Sequence, residues 1–126
     1  PNDKDSYFPK NEIHRPYNLL HMNALYSLKH HIYVDATIQK GKLINEHKAL
    51  TDMVDRSTIP KALVIADRGY ESYNNMAHIQ EKGWYFLIRI RDQAKRSMKS
   101  GFDLPDTDEY DINLDLPYEW HSPIPR

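Results

Sequence analysis

The stretch that most constrains the fold is a short apolar run, Ala62-Leu63-Val64-Ile65-Ala66, followed at once by Asp67-Arg68-Gly69-Tyr70. A run that short, with no polar break and a glycine soon after it, reads as a strand buried on both faces. Asp67 stands where the strand ends, and Gly69 supplies a tight turn into the next element. In open α/β sheets chemistry gathers just beyond the carboxyl ends of the strands, which makes Asp67 a candidate functional group. The competing reading is local: Asp67 caps the following turn or pairs with Arg68.

The elements around this strand follow from periodicity. Leu19 to Leu28 alternates, with Leu20, Met22, Ala24, Tyr26 and Leu28 on one face. Ile32 to Ile38 alternates as well, and the spacer Lys29-His30-His31 between them predicts an antiparallel hairpin. Adjacent histidines on a turn point apart, so His30 and His31 are not read as metal ligands. Asn45 is a good N-cap for a helix over 45–56, whose stripe is Ala49, Leu50, Met53 and Val54 and which stops before Pro60. Ser72 can cap a second helix, Tyr73 to Lys82, closed by Gly83. Trp84 to Ile90 follows as a strand. The order β-β-α-β-α-β predicts an α/β fold, a mixed sheet with helices packed on it. Residues 1–16 read as an irregular approach segment.

Composition matters mainly for what it excludes. The 126 residues suffice for one domain with a real core but not for two, and 40% hydrophobic with 28% charged residues is ordinary for a globular domain. The absence of cysteine excludes disulfides and thiolate metal sites and suits a reducing, cytoplasmic setting. No stretch approaches the ~20 apolar residues that span a bilayer. With a net charge of −1, a nucleic-acid partner must be held by a local basic patch. Such a patch exists: Arg89, Arg91, Lys95, Arg96 and Lys99 crowd together, and they are the candidate phosphate contacts. From Ser100 to Glu119 the chain is acidic, with no lysine or arginine. The change predicts a division into 1–100 and an acidic, proline-containing segment, 101–126. Solvated charge is the usual explanation for either run.

Several stretches together resemble the core of bacterial insertion-sequence transposases of the IS4 type. They are Tyr17-Asn18-Leu19-Leu20-His21-Met22-Asn23-Ala24-Leu25-Tyr26, Tyr33-Val34-Asp35-Ala36, Asn45-Glu46, and Ala66-Asp67-Arg68-Gly69-Tyr70-Glu71-Ser72-Tyr73. His78-Ile79-Gln80-Glu81-Lys82-Gly83-Trp84 and Leu87-Ile88-Arg89 match too, and the likeness covers roughly residues 1 to 95. The resemblance implies a ribonuclease-H-like fold and an Asp, Asp, Glu set that holds two Mg²⁺ or Mn²⁺ ions. It implies double-stranded DNA, as transposon ends and target, for a substrate, and an oligomeric parent protein. Asp67 carries over as the second aspartate, and a hard, oxygen-seeking cation needs such a carboxylate. Arg68 and Tyr70 flank it, either touching DNA or holding Asp67 in place.

Two departures from the family accompany the match. Its first aspartate lies on a strand before Tyr17, and Asp3 and Asp5 lack strand character, so the chain is expected to start after that strand. The third carboxylate belongs to a Tyr-x-x-Arg-x-x-x-Glu pattern, and Tyr73, Tyr85 and Tyr110 all lack the arginine three residues on. One ligand, Asp67, is therefore assignable, and the acidic segment is the expected start of a β-rich insertion. Asp35 matches no catalytic position and reads as structural. The expected function is that of a DDE transposase fragment, inactive and prone to association by itself. The alternatives are a non-catalytic remnant that binds nucleic acid or protein, and a ribonuclease-H-like nuclease completed by a partner chain.

Overall fold

The computed structural model describes residues 3–90, 102–107, 109 and 111–113. The chain falls into two compact units, Pro1–Thr58 and Ile59–Arg126.

The first unit is built on a long hairpin. Strand β3, Leu20–Ser27, pairs antiparallel with β4, Ile32–Lys40, from Leu20↔Lys40 to Ser27↔Ile32, with an irregularity between Leu25 and Tyr26. The turn between the strands places His31 at φ 56. Ahead of the hairpin, β1, Tyr7–Phe8, pairs antiparallel with β2, Tyr17–Asn18. The irregular segment expected over residues 1–16 thus contains a strand. Its backbone bonds reach along the chain, with Leu19 N donating to Ser6 O and Lys42 N to Asp5 O. Gly41 sits against this pair so closely that a Cβ there would lie 2.7 Å from Leu19 Cβ and 2.9 Å from Phe8 Cε2.

Helix α1, Glu46–Arg56, begins where the sequence indicates. Asn45 Oδ1 accepts from Lys48 N at 2.9 Å, Glu46 lies in the first turn and Arg56 in the last, as the helix dipole favours. Its stripe of Ala49, Leu50, Met53 and Val54 is fully buried and forms the core of this unit.

The second unit is a strand–helix–strand crossover. Strand β5, Leu63–Ala66, pairs in parallel with β6, Tyr85–Ile88, in the register Leu63↔Tyr85 to Ala66↔Ile88. Helix α2, Tyr73–Glu81, connects them, and Gly83 beyond it takes φ +76, the left-handed conformation that ends helices. The core consists of Val64, Met76, Ile79, Trp84 and Ile88, with Trp84 Nε1 donating to Ile59 O at 3.0 Å.

The mixed α/β class with two helices is as the sequence implies and suits a partial ribonuclease-H-like core. Two points differ. The described strands pair as three two-stranded sheets rather than one hydrogen-bonded sheet, and β5 has β6 on one edge and no described strand on the other. Strand β5 is not buried on both faces: Val64 is buried, but Leu63 and Ile65 are 56% and 57% exposed. An apolar run shows that a strand can be covered twice; it does not supply the second cover. The acidic segment expected to begin a β-rich insertion lies largely outside the described residues.

Candidate functional site

The site is the carboxyl end of the parallel pair. The backbone leaves β5 at Ala66, Asp67 stays extended at φ −79 and ψ 178, and Arg68–Tyr70 form a single 3₁₀ turn. Asp67 caps that turn: Oδ1 accepts the Gly69 N–H at 2.8 Å. Tyr70 N donates to the Asp67 carbonyl at 3.2 Å and Glu71 N to that of Arg68 at 3.4 Å. Gly69 serves here through its N–H rather than through a positive φ, which among the described glycines belongs to Gly83.

The capping alternative is thus realised, but it occupies one carboxylate oxygen. Among the described residues Asp67 Oδ2 accepts no hydrogen bond, and no ion pair joins Asp67 to Arg68. Asp67 and Arg68 are exposed and Tyr70 is half-buried. The parallel register carries a second candidate to the same end. Arg89 follows β6 as Asp67 follows β5, its N–H donates to Ala66 O at 3.2 Å, and its side chain is exposed. Arg91, Lys95, Arg96 and Lys99 lie outside the described residues.

Two side-chain contacts escaped the sequence reading. Asp35 is engaged by Arg56, whose Nε donates to Oδ2 and Nη2 to Oδ1, both at 2.8 Å. The Arg56 guanidinium beside Asp35 holds its carboxyl below the usual range, helped by the Ala36 N–H. Asn75, fully buried in α2, donates from Nδ2 to Tyr70 O at 2.8 Å. The signal for Asn75 was present in the sequence: an asparagine beside Met76 and Ile79 on a buried helical stripe is out of place unless it is hydrogen bonded.

What can this end of the sheet hold? An exposed carboxylate with a free oxygen suits one coordination position of a hard divalent cation. Among the described residues no three His, Asp or Glu side chains are grouped to hold a metal ion. The described residues therefore fit one ligand of a metal set and not the set.

The family model of the transposase DDE domain matches residues 3–118, nearly the whole chain. The chain belongs to the DDE transposase domain family. DDE transposase domains generally use divalent metal ions, and the family acts on DNA. No curated protein and no solved structure matches the chain. No helix among the described residues of this DDE domain is long and apolar enough to cross a membrane.

Proposed function

We propose that this DDE domain is a central part of an IS4-type transposase and that Asp67 is the second carboxylate of its metal-binding set. The observation that carries the reading is the state of Asp67 at the carboxyl end of β5: Oδ1 is fixed by the Gly69 N–H while Oδ2 is open among the described residues. A carboxylate so held presents one oxygen in a defined direction with little reorganisation. When bound, two divalent ions, Mg²⁺ or Mn²⁺, would activate a water or DNA 3′-hydroxyl and stabilise the leaving oxygen. The residues of this chain supply the surroundings. Asp67 offers Oδ2, and Arg68 and Tyr70 flank it. Arg89, at the same end of the sheet, starts the basic stretch of Arg91, Lys95, Arg96 and Lys99 that contacts DNA phosphates.

In this reading the remaining carboxylates come from beyond the described residues, and the parent acts as an oligomer on double-stranded DNA. The acidic segment from residue 101 then begins an insertion separating the second and third ligands. One carboxylate cannot hold two ions in the geometry of in-line transfer, so Asp67 without those partners supports no cleavage or joining.

The test is a Mn²⁺ titration of the chain and of its Asp67→Asn variant, read by paramagnetic broadening of backbone amides. The reading expects broadening centred on Asp67 and Gly69 that Asp67→Asn removes. Equal broadening in both proteins would favour a remnant domain without chemistry.

A further inference from the structure

The geometry points to Asn75 as the residue that positions the Asp67 carboxylate, acting through the turn between them; this rests on the assignment of Asp67 just made. Asn75 is the third residue of α2 and is 0% exposed. Asparagine is costly at such a place on two counts. In helices its short amide competes with the backbone for hydrogen bonds. Inside an apolar core the amide also loses water that only a protein partner can replace.

The amide answers part of that cost through Nδ2, which reaches out of its own helix. Asn75 Nδ2 donates to Tyr70 O at 2.8 Å. Tyr70 is the last residue of the 3₁₀ turn, and its N–H donates to Asp67 O at 3.2 Å. Within the same turn the Gly69 N–H holds Asp67 Oδ1 at 2.8 Å. Three hydrogen bonds therefore run from a buried side chain, through the turn, to the carboxylate. The turn's own backbone bonds, at 3.2 and 3.4 Å, are at the weak end of the range. Ser72, placed to cap α2, makes no side-chain cap bond, so it does not tie down the start of the helix. Asn75 does this instead, anchoring the turn to the buried face of α2. The part of the site that must not move is thus fastened to the part of the unit that is best packed.

Asn75→Leu keeps the volume, removes the donor and leaves the apolar face of α2 intact. The comparison uses the ¹⁵N-labelled 126-residue chain, this variant, and Ile79→Val, which trims the core of α2 without touching the turn. Hydrogen exchange at the Gly69 amide should speed up about tenfold or more in Asn75→Leu relative to amides in the last turn of α2. In Ile79→Val that ratio should stay the same. The Mn²⁺-induced broadening at Gly69 should weaken in Asn75→Leu as well. If Asn75→Leu does not fold, Asn75→Ser takes its place, since the shorter hydroxyl falls short of Tyr70 O. The wild-type chain gives a reading without any variant, as a coupling across the hydrogen bond from Asn75 Nδ2 to the Tyr70 carbonyl carbon.

An unchanged Gly69 ratio, exchange that rises only in step with α2, or a missing coupling would overturn the positioning role. Wild-type broadening no greater than in Asp67→Asn would overturn the assignment of Asp67 instead. The metal-free exchange ratio would still decide what Asn75 does to the turn.

Discussion

The two units each carry an aspartate on or next to a strand, and the two are treated in opposite ways. Asp35, on β4, has both oxygens taken by Arg56, and Oδ1 accepts from Ala36 N in addition. The same guanidinium reaches on to Ala36 O and Thr37 Oγ1, so the ion pair fastens helix α1 to the hairpin. Asp67, at the end of β5, has one oxygen held by a backbone N–H and, among the described residues, the other open. A carboxylate engaged bidentately by arginine is a fastener, while one held by a single backbone donor keeps a lone-pair direction for a ligand. Residue type does not separate the two roles. The partner does.

The largest stability effect should come from the cores that hold the two aspartates in place. Met53→Ala beneath the hairpin and Ile79→Ala beneath the parallel pair each remove a fully buried side chain. Each should cost about 2–5 kcal/mol in urea unfolding. A cost well below that range at Ile79 alone would mean that the support of Asp67 is looser than that of Asp35. Gly41→Ala is next, because its methyl would meet Leu19 Cβ at 2.7 Å; a loss of about 1–3 kcal/mol is expected from overpacking.

The smallest effect separates the two carboxylates themselves. Arg56 is about half exposed at 48%, so its ion pair with Asp35 is screened and contributes about 0.5–1 kcal/mol. The folded-state pKa of Asp35 is lowered, first by the Arg56 hydrogen bonds. Its contribution is therefore present above the unfolded value of about 4 and disappears as pH falls through the lower folded value. Asp35→Asn should reduce stability at pH 7 by that amount and make little difference near pH 2, measured by urea unfolding at both pH values. An equal loss at both would show that the pair acts through packing rather than charge.

How much of this could be read from the chain alone depended on distance along it. The hairpin, α1 with its Asn45 cap, and α2 with Gly83 behind it are written in signals a few residues long. They appear within two residues of where periodicity puts them. The β1–β2 pair was not legible, because two-residue strands carry no period, and the neighbouring Ser6 and Asp5 accept from Leu19 N and Lys42 N far along the chain. The uncovered face of β5 was not legible either, since an apolar run is the same whether or not something lies against it. At the site, the position of Asp67 followed from the end of the strand, and its open oxygen did not. Arg56 and Asp35 are joined across 21 residues of sequence, and only the fold reveals that pair.

The most direct test compares the two aspartates in one assay, metal-dependent DNA cleavage and joining by the full-length transposase. Losing groups that merely orient metal ligands already costs about 10–100-fold, so replacing a ligand itself should cost at least about 100-fold. Asp67→Asn should therefore abolish both steps, while Asp35→Asn should leave activity within a few-fold of the parent. Full activity in Asp67→Asn, or a loss in Asp35→Asn as deep as that in Asp67→Asn, would contradict the assignment of the two carboxylates.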